Sequence, residues 1–228
     1  MITIDYFSDV LCVWAYGGQI RLDELRSRFG EQMCLREHFM PLFADTKVKI
    51  GEGWKDRGGY AGFGQHAIEV CQQWSHVQVH PDVWTTCRPA GCTNAHLFLR
   101  AAAALMGIDR EHNSAEATMH FHHLVSRVRE AFFAQGNDIA QMDVLLQLLT
   151  ADDPSPEGIR ESIDSGAAAA ALHRDAELAT QFGVRGSPTY VFNEGRQILY
   201  GNVGYRIIEA NIAELLSNRA PAAEASWC

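Results

Sequence analysis

The sequence predicts an α/β protein whose sheet is built from the two ends of the chain, with a block of helices between them. Residues 1–8 and 33–40 have strand-like patterns and flank a helical one, and this order implies a parallel pair of strands. Strand-like segments return only at 189–193 and 197–200. The sheet domain is therefore expected to be discontinuous.

The first forty residues predict a strand, a helix and a second strand. β-Branched and aromatic residues alternate through 1–8. Apolar positions between Trp14 and Phe29 fit one helix, which Gly30 would end as a C′ residue. The second strand, over 33–40, stops at Pro41.

The middle of the chain predicts a long loop followed by helices. Residues 47–64 contain six glycines between Gly51 and Gly64, which favours a loop. Asp138 and Ser155 are both placed like N-cap residues of later helices. The helical patterns extend over 65–74, 93–106, 115–134, 139–150, 155–165 and 167–182.

The last part of the chain predicts a hairpin and a helix. Glu194 and Gly195 form the turn between the two late strands. A final helix fits 207–216, and an Ala- and Pro-rich tail follows.

Composition excludes several classes of protein. The chain has 228 residues, 47% of them hydrophobic, so a core can form without disulfides. Its formal net charge of −9 leaves no basic excess for nucleic acid or for an anionic membrane, so neither partner is expected. No run of 18 apolar residues occurs, which argues against a transmembrane helix.

The cysteines indicate a reducing compartment. Residues 1–9 lack a basic start with an apolar segment, so a cytoplasmic location is expected, with cysteines as free thiols. None forms a CxxC pair, and His120 and His123 have no matching carboxylate set, so no metal site is expected. The six cysteines are at positions 12, 34, 71, 87, 92 and 228.

Cys12 is the first candidate for chemistry, because it lies between a predicted strand and the start of a predicted helix. Backbone N–H groups and the helix dipole at that position favour the thiolate, so we expect a lowered pKa for Cys12. The alternative is a small buried apolar residue. Trp14 beside it either walls a substrate groove or packs in the interior.

The second candidate is the segment 183–192, GVRGSPTYVF. A proline that enters a central strand usually has a structural reason. A cis Ser187–Pro188 bond would turn the Ser187 backbone toward a neighbouring loop, whereas a trans bond is the default for any X–Pro pair.

In combination, these motifs resemble the DsbA-like family. Residues 9–16, DVLCVWAY, are similar to the active-site start of the subgroup that holds cytoplasmic DsbA-like proteins, kappa-class glutathione transferases and 2-hydroxychromene-2-carboxylate isomerases. Residues 95–96, AH, and 129–139, REAFFAQGNDI, resemble the insert of that subgroup. The resemblance covers the chain to about residue 216.

The resemblance implies an α/β protein with a thioredoxin fold and an inserted all-helical domain. The thioredoxin-like domain would comprise 1–50 and 166–218, the helical insertion 51–165, and the tail 219–228.

The sequence departs from the family at two places. Oxidoreductases of this family use CxxC, but Ala15 is at the fourth position here, and the transferase and isomerase branches carry Ser in place of Cys12. The transferase branch also has an acidic residue after the hairpin that grips glutathione, where this chain has Asn202. Because Ala15 takes the place of the second cysteine, Cys12 has no resolving thiol within its own motif.

A resolving thiol could lie elsewhere in the chain. In the subgroup a Ser or Thr three residues before the Ala-His pair faces the active site, and Cys92 holds that place here. Such a role requires the two Cα atoms to lie within roughly 7 Å of each other. The alternative is that Cys92 only replaces a capping hydroxyl.

These observations predict a thiol–disulfide oxidoreductase with one active-site thiol, Cys12, acting on a protein or small molecule that contains a thiol or disulfide. Glutathione could be a co-substrate, no tightly bound cofactor is expected, and a homodimer is compatible with the sequence. A glutathione-dependent isomerase or transferase, and a non-catalytic peptide-binding protein, are the alternatives. The candidate substrate-binding residues are Trp14, Ala15, Ser187, Pro188 and Asn202.

Overall fold

The computed structural model describes residues 1–110 and 114–217. The sheet has four strands in the order β2-β1-β3-β4. β1 and β2 are parallel, whereas β3 is antiparallel to both β1 and β4. The strands are β1 (Ile2–Ser8), β2 (Met33–Phe39), β3 (Thr189–Phe192) and β4 (Gln197–Tyr200). The predicted parallel pair and C-terminal hairpin are both confirmed.

The helices of the described residues lie around this sheet in three groups. Two follow β1, one follows β4, and the others lie between β2 and β3. They are α1 (Val13–Gly17), α2 (Gln19–Phe29), α3 (Gly59–Cys71), α4 (Thr93–Leu105), α5 (Ala115–Phe133), α6 (Met142–Leu146), α7 (Pro156–Asp164), α8 (Ala167–Gln181) and α9 (Tyr205–Leu216). No described helix is both long and apolar enough to cross a membrane.

Three predicted elements differ from the structure. The helix expected between Trp14 and Phe29 is interrupted at Gly18, because two adjacent glycines, Gly17 and Gly18, weaken helix propagation. The helix expected over 139–150 is only the five residues of α6, and its N-cap residue is Gln141, not the predicted Asp138. The Asp138 carboxylate instead accepts the Ala140 amide in the turn before the helix.

The prediction of a long loop at 47–64 is also wrong. It contains a π-helical turn at Lys47–Glu52, a 3₁₀ turn at Lys55–Arg57 and the start of α3. Apolar contacts order this segment despite its glycines, since Ile50 is fully buried and the Trp54 ring packs edge-on against Phe63 with centroids 4.8 Å apart.

Three apolar clusters hold the sheet in place. One face packs against α2 and α9 through residues such as Leu25, Tyr190 and Ile212. Phe7 and Val191 of the sheet form a small cluster with residues of α8. The helical region forms the third cluster, which extends to the loop at the end of β1 and includes Cys12 and the fully buried Trp84. The loop that carries Cys12 is therefore anchored on the helical region. The tail predicted at 219–228 lies outside the described residues.

Candidate active site

Cys12 is the N-cap residue of α1, directly after the turn that follows β1. Its backbone is extended, with φ −84° and ψ 113°, and its amide donates to the Asp9 carbonyl at 3.1 Å. The thiol donates to the Ser187 carbonyl at 3.3 Å. The Ser187–Pro188 bond is cis. The structure thus brings together Cys12 and the Ser187–Pro188 segment, which are 175 residues apart in the chain.

The expected lowering of the Cys12 pKa is wrong. Burial raises the pKa of the thiol, since only 5% of the residue is exposed. Hydrogen bonds to the sulfur from the Ser187 side chain and from the backbone amides of Ala15 and Trp14 act in the opposite direction but are outweighed. The position of Cys12 at a helix start favours the thiolate, but the desolvation of the buried thiol has the larger effect on its pKa. The Cys12 thiol is therefore protonated at neutral pH.

Asp9 organises the loop that carries Cys12. Its two carboxylate oxygens accept the Leu11 and Phe43 amides, each at 2.9 Å. Its own amide donates to the Ser187 hydroxyl at 2.9 Å. The loop is thereby tied both to the end of β2 and to the Ser187–Pro188 segment.

His96, on α4, completes the hydrogen bonding of this loop. The Val10 amide donates to its Nε2 atom at 3.3 Å. Burial lowers the pKa of His96, which keeps the ring neutral and Nε2 free to accept. All four amides of residues 9–12 therefore have a defined partner. The sequence identified His96 only as part of a motif and gave Asp9 no role.

Cys92 precedes α4 and is fully buried. Burial raises the pKa of its thiol far above the ordinary range, and the adjacent Asp9 carboxylate adds to the effect. The thiolate, which is the form that attacks a disulfide, is thus strongly disfavoured. Cys92 makes no side-chain cap bond to α4 either, so it does not replace a capping hydroxyl there. Its role as a resolving thiol stays a prediction.

Asp9, Cys92 and His96 also place three possible metal-ligand atoms within 4.8 Å of one another. Backbone amides already occupy both carboxylate oxygens of Asp9 and the Nε2 atom of His96. All three residues are buried, and the Cys92 thiol would have to ionise. These contacts fit a hydrogen-bonded cluster that supports the loop better than they fit a metal site.

Aromatic side chains cover α1 beside the thiol. Trp14 is half-buried and meets Trp74 edge-to-face with centroids 5.8 Å apart. A side chain at Gly17 would collide with Trp74, since an added Cβ atom would lie 2.1 Å from the indole. Tyr16 donates from its hydroxyl to the Gln78 carbonyl at 3.0 Å. The 72–80 segment therefore packs over α1, a contact that no local sequence signal indicates.

The remaining predicted residues, Ala15 and Asn202, lie in α1 and after β4. Ala15 is fully buried in α1, with no sulfur at the fourth position of the motif. Asn202 follows β4, and its amide oxygen accepts from the Arg21 guanidinium of α2. Arg21 was not predicted. It supplies a cation next to Asn202 at the position where the resemblance led us to look for glutathione contacts.

The chain belongs to the family of the DSBA-like thioredoxin domain, whose model matches residues 3–213. No sequence among the curated proteins matches it. The predicted thioredoxin fold with a helical insertion is thereby confirmed, while the exact domain boundaries stay a prediction.

Solved structures of this fold include several thiol–disulfide proteins. The cytosolic disulfide reductase DsbM from Pseudomonas aeruginosa, solved with GSH, has a TM-score of 0.66 and 19% identity, and the match covers 92% of this chain and 98% of DsbM. A probable DsbA oxidoreductase from Streptomyces coelicolor has a TM-score of 0.67 and 16% identity, with coverage of 98% and 94%. A 2-hydroxychromene-2-carboxylate isomerase has a TM-score of 0.59 and 15% identity, with coverage of 93% and 95%. At these identities the likeness shows the fold.

Proposed function

We propose that this protein is a thiol–disulfide oxidoreductase that uses Cys12 as its single catalytic thiol and an external thiol to complete the reaction. The observation that carries the proposal is the hydrogen bond of Cys12 Sγ to the Ser187 carbonyl, at 3.3 Å. It places the sulfur beside a backbone segment that can pair with an extended substrate. Ala15, at the fourth motif position, offers no second sulfur.

The reaction would proceed by two or more thiol–disulfide exchanges. Cys12 loses its proton to solvent, and the thiolate attacks one sulfur of a substrate disulfide. One Cys12–substrate S–S bond forms, the substrate S–S bond breaks, and the second substrate sulfur leaves as a thiolate that takes up a proton. An external thiol then attacks the Cys12 sulfur and releases the other half of the substrate as a thiol. That attack leaves a disulfide between Cys12 and the external thiol. A second external thiol attacks the outer sulfur of this disulfide, so that Cys12 is released as a thiol and the two external thiols leave joined by an S–S bond.

Glutathione is a suitable external thiol. DsbM, which shares this fold, was solved with GSH. In this chain Arg21 and Asn202 offer a guanidinium and an amide near the start of α2, and both groups can bind a carboxylate. A reducing, cytoplasmic compartment would supply glutathione in its thiol form.

The test is reduction of a mixed disulfide between glutathione and a peptide, with GSH as reductant. We expect a rate above the uncatalysed one for the wild-type protein, loss of that rate in Cys12→Ser, and retention in Cys92→Ser. Mass spectrometry should find a glutathione adduct on Cys12. Absence of a rate in the wild type would overturn the proposal, and equal loss in Cys92→Ser would overturn the single-thiol mechanism.

Assays on the same purified proteins distinguish the two alternative functions from the proposed one. A glutathione-dependent transferase or isomerase would give conjugation or isomerisation of an aromatic substrate without disulfide reduction. A non-catalytic protein would bind extended peptide equally well in the wild type and in Cys12→Ser. Either result would replace the proposed function.

A further inference from the structure

A cavity whose lining does not include Cys12 lies between β2, α4 and α8. Its volume is about 500 Å³, within the range of small-molecule sites. It exists because the facing helices carry small side chains there, namely Ala103 and Ala104 of α4 and Ala171 of α8. These alanines belong to two runs of alanine in the sequence, at 101–104 and 167–171. Neither run takes part in the thiol–disulfide reaction proposed for Cys12.

Guanidinium groups from three elements, β2, α4 and α8, line this cavity. Arg100 is fixed by an ion pair to Asp175 at 2.8 Å and lies over the Phe39 ring, 4.7 Å from its centroid. The Nε atom of Arg36 is buried without a hydrogen-bond partner among the described residues, and the Nη1 atom of the same guanidinium makes a long ion pair with the Asp5 carboxylate, at 3.9 Å. A buried donor of this kind favours a ligand that can accept from it.

Arg174 adds a third guanidinium from α8. It is exposed, and no ion pair to it is found within the described part of the chain. Arg110 lies at the rim together with the acidic Asp109.

The acidic residues of the wall have other partners. Asp175 accepts from His38 and from the Phe39 amide as well as from Arg100. The Glu37 carboxylate bonds to His122. Glu177, on the exposed side of α8, pairs with His173 at 3.4 Å. Arg174, and Arg36 with only its long ion pair to Asp5, thus remain available to a ligand.

We propose that this cavity is a binding site for a small organic anion, with its carboxylate or phosphate group at Arg36 and Arg174 and its apolar body against the alanines, Leu178 and Phe121. The assignment combines a cavity of suitable volume, an unpartnered buried donor and an apolar floor. It is independent of the thiol chemistry at Cys12.

The test is titration of the full chain with benzoate, phenylphosphonate and uncharged benzyl alcohol, followed by amide chemical shifts. We expect one or both anions to bind, with shifts at residues that line the cavity, and benzyl alcohol to bind at least tenfold more weakly. The two anions distinguish a carboxylate ligand from a phosphate ligand. Equal affinity for benzyl alcohol, binding of none of the three, or shifts confined to the surroundings of Cys12 would overturn the proposal.

Two variants with matched controls locate the site. Arg174→Glu should weaken anion binding at least tenfold, whereas Arg196→Glu, the same change on an exposed residue of the hairpin, should leave it unchanged. Ala171→Leu should fill the cavity and abolish binding, whereas Ala170→Leu, its exposed neighbour on α8, should not. Unchanged anion affinity in Arg174→Glu would refute the site even if Ala171→Leu failed to fold.

Discussion

At Cys12, desolvation and hydrogen bonding act on the same thiol in opposite directions. Burial favours the protonated form, while the Ser187 side chain and the backbone amides of Trp14 and Ala15 favour the thiolate. The net effect is a raised pKa. The resting protein is then slow to react with general alkylating agents. A substrate that opens or hydrates the site would increase the thiolate fraction.

The raised pKa of Cys12 predicts how its alkylation rate depends on pH. The rate at Cys12, followed against pH by mass spectrometry, should rise with an inflection above the ordinary pKa of a cysteine, about 8.5. Cys12→Ser identifies the signal that belongs to this residue. An inflection at or below the ordinary value would mean that the helix start outweighs burial.

Asp9 should matter for stability as well as for activity. In Asp9→Asn one carboxylate oxygen becomes an NH₂ group that faces either the Leu11 or the Phe43 amide. One buried donor then loses its acceptor, at a cost of about 1–3 kcal/mol in the free energy of unfolding. Urea denaturation measures the loss. Asp45→Asn is the matched control, because Asp45 caps the exposed Val48 amide and asparagine caps equally well. Similar unfolding free energies for both variants would remove the proposed role of Asp9.

At the scale of elements, the 72–80 segment can pack on α1 only because residue 17 is a glycine, which has no side chain. Gly17→Ala would place a Cβ atom 2.1 Å from the Trp74 ring, so the indole must move. We expect a loss of about 1–3 kcal/mol in thermal or urea unfolding, as for other overpacked sites. Gly204→Ala, with no atom within 4 Å of the added carbon, is the control. If Gly17→Ala were as stable as Gly204→Ala, the segment would be loosely packed on α1.

The sequence could predict those features of the protein that depend on residues close together in the chain. Patterns of side chains and turn residues are local, so they predicted β1, β2, the hairpin at Glu194 and a cysteine at a helix start. The Trp74–Gly17 contact and the burial of Cys12 arise from residues distant in the chain. For that reason the pKa direction at Cys12 was predicted wrongly, and the ordered turns at 47–58 were read as a loop.

At the scale of the whole molecule, β2 carries a pair of buried ionisable residues that join the sheet to its surroundings. His38 bonds to Asp5 of β1 and to Asp175 of α8, both at 2.8 Å. Its neighbour Glu37 bonds to His122 of α5 at 2.7 Å and to Arg26 of α2 at 3.2 Å. Adjacent residues of a strand point to opposite faces, so the pair connects both faces of the sheet to the helices.

This network predicts how stability depends on acid. Burial alone would raise the pKa of Glu37, but His122 and Arg26 lower it to about 2. For a lowered pKa the stabilisation is complete above the unfolded-state value of 4.5 and is lost as the pH falls toward the folded-state value. A difference of this size corresponds to about 3 kcal/mol. Urea unfolding of the wild type should therefore weaken steeply between pH 4.5 and 2.

Glu37→Gln should be less stable than the wild type at neutral pH, and the difference should shrink as the pH falls through this interval. Glu31→Gln removes an exposed carboxylate close by in sequence and should retain the pH dependence of the wild type. Unfolding curves for Glu37→Gln that stay parallel to the wild type at every pH would show that the ion pairs of Glu37 do not stabilise the fold. In that case the sheet would be held to α2 and α5 by apolar packing alone.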